Sequence, residues 1–364
     1  MLFLFFLFSC SSVCLFCLFV LALFSRARTI RHIRRKVSKD ARQRVAIVLW
    51  ETPDISPQPA TINTLSAFLS NPNICLRIGV VDEGGSALTS PKTGDVALVT
   101  ERRDLQGTLP SVLALAATEA SPADAILALD NCAVPSSLDI AQVLGVIDTE
   151  YAYGFLFKPS AVRQSWLSDF LCRLFCDLVP WIYAAFGAKG LVPHVVCAPK
   201  EKIMRFASDT YARHSINIGS AIFRQFPRND VHLIPLFLNV SAGWGDSDLL
   251  PMFLKHLSLL WATSRLRYIA VMLALCALPL SLTLLLFSLK GGISLLFLYS
   301  LKIVHAVVWR FNGKKPGQFV LDSLLEVFRD IVGLIFMCLS AFKRKTMIAG
   351  KVYTIKAGGL LVGD

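Results

Sequence analysis

The stretch Ala125-Ile-Leu-Ala-Leu-Asp130-Asn-Cys-Ala-Val-Pro135-Ser-Ser-Leu-Asp139-Ile decides the fold class. An apolar run closed by an acidic residue and then by a proline turn reads as a buried central strand that delivers Asp130 to its carboxyl end. In open α/β sheets that edge is where ligands bind. Pro135, Ser136 and Ser137 open a predicted helix, with Ser136 or Ser137 as N-cap and Asp139 in the first turn, where an acidic side chain complements the helix dipole. An ordinary strand end whose aspartate caps a turn has the same local pattern. Asp130 therefore takes its meaning from the company it keeps elsewhere in the chain.

Outward from this stretch, short β-rich runs alternate with helical ones. Val45 to Leu49, Cys75 to Val81 and Val96 to Val99 are predicted strands, with predicted helices around Ala60 to Leu69 and Leu109 to Ala120. That rhythm implies βαβ units and a mostly parallel sheet covered by helices. Asp82, in Val-Val-Asp82-Glu83-Gly84-Gly85, then emerges at a strand end like Asp130. Two carboxylates on one sheet edge suit a metal-diphosphate or a pair of nucleoside hydroxyls. Downstream, Asp209 in Ser208-Asp209-Thr-Tyr211 lies near the start of a predicted helix, a position equally suited to a cap.

The composition places this α/β unit at a membrane. With 54% hydrophobic and 17% charged residues over 364 positions, and a mean hydropathy of +0.58, the chain is too apolar to be soluble throughout. Leu2 to Phe24 is uncharged and long enough to span the hydrocarbon core as a helix. A signal peptide would need a basic n-region and a shorter apolar core, and the chain opens with neither. Arg26, Arg28, Arg31, Arg34, Arg35, Lys36, Lys39, Arg42 and Arg44 come next, opposed within that segment by Asp40 alone. By the positive-inside rule this cluster and the domain after it are cytoplasmic. The formal net charge of +12 is thus a topology and lipid-surface signal. Nucleic acid is not an expected partner, since the basic residues are not interleaved with aromatics and no nucleic-acid motif is present. Of the ten cysteines, Cys10, Cys14, Cys17, Cys276 and Cys338 lie in apolar segments, where Cys14-x-x-Cys17 falls inside the predicted membrane helix, and the other five show no paired ligand spacing; most are expected to be reduced.

Trp166 to Gly190 mixes large apolar residues with scattered charges, and reads either as an amphipathic helix pair at the interface or as a buried helix of the soluble domain. Tyr268 to Leu289 and Ile293 to Trp309 form a predicted helical hairpin of two spans. Lys302 and His305 lie in the second and invite a proton-path or substrate-channel reading, but a lysine near a helix end can snorkel to the headgroups, which is the expectation taken for Lys302. Phe319 to Phe342 carries Asp322, Glu326, Arg329 and Asp330, too costly for a lipid-facing span at about 2.5–3.5 kcal/mol each. It is expected at the interface or against the soluble domain, with the basic tail Lys343 to Lys356 cytoplasmic.

Asp82, Asp130 and Asp209 occur in the order and rough spacing of three acidic motifs, and the chain resembles the membrane-bound inverting glycosyltransferases of the GT-A fold, most of all the ceramide glucosyltransferase branch. The ending Lys343-Arg-Lys-Thr-Met-Ile-Ala-Gly-Lys-Val-Tyr353-Thr-Ile-Lys-Ala-Gly358-Gly359 is similar to that branch's short hairpin. The resemblance implies a GT-A-like, Rossmann-type, mostly parallel sheet domain with transmembrane helices at both ends. The implied divisions are an anchor over 1–25, a basic juxtamembrane segment over 26–44, the glycosyltransferase domain over 45–262, a membrane hairpin over 263–312, and an interfacial helix and tail over 313–364. It also implies that Asp82 and Glu83 bind the nucleotide base and ribose, that Asp130 holds a divalent cation, Mg²⁺ or Mn²⁺, at the donor diphosphate, and that Asp209 is the general base. Trp261 would be a donor-site residue. The implied partners are a nucleotide-sugar donor, a lipid acceptor and the membrane itself, with the catalytic domain facing the cytoplasm.

The chain departs from that family's pattern. The Gln- or Arg-x-x-Arg-Trp motif falls on Leu257-Ser258-Leu259-Leu260-Trp261, where only the tryptophan survives. A lysine expected after Asn-Pro falls on Ser111, and the usual Glu before the base is Ser208. An arginine facing a diphosphate supplies charge-assisted bonds worth about 1.5–3 kcal/mol each. Lys255, His256, Arg265 and Arg267 are near enough in sequence to replace it, or else to meet phospholipid. Two functions are therefore compatible with the sequence: sugar transfer to a lipid at the membrane face, or a catalytically weakened relative that keeps the fold as a lipid-binding or scaffolding protein.

Overall fold

The computed structural model describes residues 2–36, 45–50, 74–76, 124–130, 150–160, 166–187, 195–203, 226–227, 230–241, 246–286, 289–310, 325–348, 351–357 and 360–363. The predicted helices at 60–69, 109–120 and after Pro135, and the predicted strand at 96–99, lie outside these residues.

The strand read from Ala125 to Asp130 is present with those bounds. It is β3 of a sheet that also holds β1 (Val45–Trp50), β2 (Ile74–Leu76), β4 (Ala152–Ser160), β5 (Val195–Pro199) and β6 (Val231–Ser241), in the order β2-β1-β3-β5-β4-β6. β1 is parallel to both β2 and β3, and β4 is parallel to β6, while β5 is antiparallel to its neighbours β3 and β4. The sheet is thus mixed in its pairings, yet five of the six described strands run the same way and β5 alone is reversed. One register row crosses all six: Leu76, Ile47, Leu127, Cys197, Tyr153 and His232. Ala125, Ile126 and Leu127 are buried, which explains why an unbroken apolar run, without alternation, was needed for a central strand. β6 is the last described strand of the order, and there Pro235, which has no N–H to give a ladder, is tolerated. Its register against β4 slips between Leu156 and Lys158. β4, β5 and β6 are not among the strands predicted from the sequence.

The helices form the second layer. α1 (Leu2–Lys36) runs well past Phe24, so Arg26, Arg28 and Arg31 are helical and no break separates the apolar run from the basic one. Arginine and lysine are good helix formers, and nothing in Arg26 to Lys36 stops the helix. α2 (Trp166–Phe186) is one helix with Pro180 inside it, followed by Gly187 at φ +67, the left-handed conformation that commonly ends helices. α3 (Asp246–Thr263), α4 (Arg265–Leu285), α5 (Leu289–Arg310) and α6 (Glu326–Phe342) complete the described set. α2 packs against α1, α3 and α4, and α4 packs along α1. The shared core includes Leu15, Phe19, Leu174, Trp181, Leu257 and Leu278. Trp166 to Phe186 is therefore a buried helix, and the expected helix pair is one continuous element. The chain ends in an antiparallel sheet, β7 (Lys345–Ile348), β8 (Lys351–Lys356) and β9 (Leu360–Gly363), one strand more than the hairpin expected there.

Among the described residues two helices are long and apolar enough to cross a membrane, over Phe3–His32 and Arg265–Leu285. The apolar described part of α5, Gly292–His305, is shorter. α6 turns Phe328, Ile331, Ile335, Leu339 and Phe342 outward while Glu326, Arg329 and Asp330 are buried. That is the inverse of a helix on a water-facing surface, where the charged face looks out.

Candidate active site

Asp130 is the last residue of β3 and stands opposite Trp50, the last residue of β1. Because β1, β2, β3, β4 and β6 all run toward this edge, their ends gather along it. Ser160 of β4 stands opposite Ser241 of β6 on the same side of the sheet. β5, running the other way, begins here with Val195, level with Leu129 and Phe155. The expectation that Asp130 stands at the carboxyl end of a central strand is thereby met in its backbone. Asp82, Glu83 and Asp209 lie outside the described residues, as do Gly84 and Gly85, so their distance from Asp130 is not part of the described structure.

Among the described residues no group of three His, Cys, Asp or Glu side chains could hold a metal ion. The chemistry of a single carboxylate at the edge still suits the expected cation. Mg²⁺ bound with a diphosphate keeps several waters and takes one or two carboxylates, the phosphate oxygens completing its shell. Asp130 is of the right type for that role.

Trp261 is placed on α3, where its ring meets Tyr268 of α4 edge-on at 5.4 Å between centroids, and the Arg265 guanidinium lies 5.6 Å above it. Tyr268 is buried, its hydroxyl donating to the Met337 carbonyl at 2.8 Å and 2.6 Å from Ser340 Oγ. The two leucines that occupy the family's polar and basic positions, Leu257 and Leu260, are fully buried in the helical core. Of the nearby cations, Arg265 and Arg267 are exposed, Lys255 is half-buried, and His256 is buried.

Two further groupings are not read from the sequence, although Lys302, Glu326, Arg329 and Asp330 of the second stand out there one by one. The first joins the end of α1 to the starts of β4 and β6. Arg28 Nη2 donates to the Val231 carbonyl at 3.2 Å, and His32 Nε2 is hydrogen-bonded to Tyr153 Oη at 2.8 Å. His32 also stacks on His232 at 3.9 Å between ring centroids. Tyr151 meets both imidazoles edge-on. Burial, with His32 and Arg28 beside it, pushes His232 down to about 3, so it is neutral at pH 7. Burial likewise pushes Tyr153 and Cys197 up, and both stay protonated. The cluster is an anchoring contact on the amino-terminal side of the strands, away from Asp130.

The second grouping links α2, α5 and α6. Lys302 Nζ lies 2.6 and 2.8 Å from the two Asp330 oxygens and 3.9 Å from Glu326 Oε1. Arg329 pairs with Glu326 Oε2 at 2.9 Å and with Asp177 Oδ2 at 3.0 Å. All five side chains are buried. Lys302 therefore does not snorkel. It turns inward, and the charges that make α6 too costly in lipid are matched within the protein.

No protein family matches the chain, and no curated protein matches it. Among solved structures it is similar to the mannosyltransferase PcManGT from Pyrobaculum calidifontis in complex with GDP-Man and Mn²⁺, at 14% identity and a TM-score of 0.48, over 92% of this chain and 98% of that one. It is also similar to S. aureus TarS 1-349, at 8% identity and a TM-score of 0.33, over 88% of this chain and 99% of that one. A longer S. aureus TarS structure matches at 12% identity and a TM-score of 0.36, over 88% of this chain and 60% of that one. Likenesses this distant leave the activity to be argued from the chain's own residues.

Proposed function

We propose that the chain is an inverting glycosyltransferase that moves a sugar from a nucleotide-sugar donor to a lipid acceptor at the cytoplasmic face of a membrane. The observation that carries this reading is the register that ends β3 with Asp130 at an edge toward which five strands converge. Support for the lipid side comes from α1 and α4, long and apolar enough to cross a bilayer, and from the outward apolar face of α6. The basic residues after the apolar run of α1 favour a cytoplasmic sheet.

In this reading Asp82 and Glu83 hold the nucleoside of the donor, and Asp130 faces the diphosphate and its Mg²⁺ or Mn²⁺. Asp209 takes the proton from the acceptor hydroxyl as that oxygen attacks the anomeric carbon and the nucleoside diphosphate departs from the opposite face. Trp261 borders the donor.

A second reading, a catalytically weakened relative that binds lipid or scaffolds, is favoured by one observation. Leu257 and Leu260 stand where the family has donor-site polar and basic groups, and they are committed to the core. A transfer assay separates the two readings. With radiolabelled nucleotide sugars, Mg²⁺ or Mn²⁺ and membrane lipids, Asp209→Asn is expected to keep donor binding while transfer falls about 10²–10⁴-fold. Asp130→Asn is expected to weaken metal-dependent donor binding instead. No donor binding by titration calorimetry under any condition would retire the enzyme reading in favour of the scaffold.

A further inference from the structure

One extended residue, Ser264, separates α3 from α4, and α4 then opens with Arg265-Leu266-Arg267, all three exposed. Tyr268, the next residue, faces inward and ties this turn to the carboxyl end of α6: its hydroxyl donates to the Met337 carbonyl and lies 2.6 Å from Ser340 Oγ. The Lys343 N–H donates to the Ser340 carbonyl at 3.1 Å, so Lys343 and Arg344 leave α6 at the level where Arg265 and Arg267 enter α4. Lys343 and Arg344 are exposed too. At about 100° per residue, Arg265 and Arg267 point to opposite sides of the Tyr268 direction and bracket the end of α6, while Leu266 points away from it.

Four cations thus share one level of the molecule. Arg265 lies over the Trp261 ring, but among the described residues no carboxylate pairs with any of the four. Helix stability does not account for the two arginines. A helix amino terminus carries partial positive charge and favours Asp or Glu, yet the first turn of α4 holds no acid.

Polarity changes sharply beside this level. Leu266 is 80% and Phe342 86% exposed, and the exposed side chains that follow along the two helices include Ile269 on α4 and Leu339 and Ile335 on α6. α4 is long and apolar enough to cross a membrane. Cations set directly above an apolar belt match the boundary between headgroup phosphates and hydrocarbon, where basic side chains meet the phosphates and exposed apolar ones enter the acyl region.

We propose that the junction of α4 and α6 is a binding site for an anionic phospholipid, with Arg265, Arg267, Lys343 and Arg344 around its headgroup and Leu266 and Phe342 against its acyl chains.

The site rests on the membrane placement of α4 in the reading above and is independent of sugar transfer. Guanidinium groups suit a phosphate because each can give it two parallel hydrogen bonds. A soluble anion would satisfy the cations but leave Leu266 and Phe342 in water, which favours the lipid.

Trp261, half-buried beneath Arg265, reports on the site. The full-length protein is reconstituted into phosphatidylcholine vesicles carrying rising fractions of phosphatidylglycerol brominated on its acyl chains, and the part of the fluorescence that Trp261→Phe removes is followed. Brominated phosphatidylglycerol should quench it at a far lower fraction than brominated phosphatidylcholine does. Each cation near an anionic surface is worth about fivefold in binding, so Arg265→Gln with Arg267→Gln, or Lys343→Gln with Arg344→Gln, should raise the half-quenching fraction about 25-fold. Arg265→Lys with Arg267→Lys keeps the charge and should retain most of the preference. All four side chains are exposed, so these variants leave the packing beneath them intact.

Equal quenching by the two lipids in the wild type overturns the proposal, as does a preference unchanged in both glutamine variants. Loss of the preference on adding a soluble nucleoside diphosphate at constant ionic strength would assign the cations to a soluble anion and overturn it as well. Flotation of the vesicles after a carbonate wash reports insertion separately. A chain that washes off fails the membrane reading and the site together, whereas an inserted chain without lipid preference fails the site alone.

Discussion

Replacing Lys302 with methionine removes one charge from a site shielded from solvent. Lys302 Nζ is 2.6 Å from Asp330 Oδ1, with the two side chains 1% and 5% exposed. Methionine fills much of the space of the lysine stem, so packing changes little and the result reports on the charge. Breaking a buried pair by deleting one partner costs about 3–5 kcal/mol, because the other charge is left buried. For a unit of 150–250 residues each kcal/mol moves Tm by about 2–4 °C, so the variant should melt about 6–20 °C lower. Thermal unfolding in detergent micelles, followed by near-UV circular dichroism, measures the shift. Lys302→Met combined with Asp330→Leu should recover most of it, since an apolar pair of similar volume commonly replaces a buried ion pair at no cost. A Tm within about 2 °C of wild type for Lys302→Met would refute the buried pair, because a lysine reaching lipid headgroups gives no such penalty.

Other outcomes can be checked in the same assay. Tyr268→Phe deletes the hydroxyl bonded to Met337 and Ser340 and should cost about 0.5–1.5 kcal/mol, loosening α6 from α4. At Gly333 an added Cβ would meet Leu174 and Leu178 at 3.6 Å, an ordinary contact. Gly333→Ala should therefore be neutral or stabilising by up to about 1 kcal/mol, whereas Gly333→Phe should force α6 off α2 and lower Tm sharply. His232 is held below its ordinary value, so the unfolded chain binds more protons between about pH 3 and 6.5, and stability falls as the pH drops through that window. His232→Phe keeps a ring against His32 and should make the acid loss shallower.

How much was legible depended on how far apart the deciding residues lie in sequence. Ala125 to Asp130 could be read because a central strand carries its burial in its own six residues. The reversed strand Val195–Pro199 could not, since the same short apolar run pairs either way and its neighbours β3 and β4 decide the direction. Lys302 was misread for a related reason. Its partner Asp330 lies 28 residues downstream on another helix, and without that partner snorkelling is the cheaper fate for a lysine in an apolar run. The full extent of α1 was hidden because a switch from apolar to basic residues changes the solvent a segment prefers, while arginine and lysine continue a helix as readily as leucine does. At the candidate site, Asp130 was legible from its strand, but the commitment of Leu257 and Leu260 to the core emerged only once α3 was seen packed against α2 and α6.

The continuity of α1 has a mechanical consequence. Thirty-five residues of unbroken helix span about 52 Å at 1.5 Å per residue, some 20 Å more than a hydrocarbon core. In the proposed membrane arrangement, with Arg28 and His32 clamped to β4 and β6, that helix is a strut that fixes the height and azimuth of the sheet relative to the lipid. A flexible tether would let the sheet drift in distance and heading. Here one alanine inserted between Phe24 and Arg28 would raise the sheet by about 1.5 Å and swing it by about 100°, turning the Asp130 edge away from whatever the bilayer presents to it.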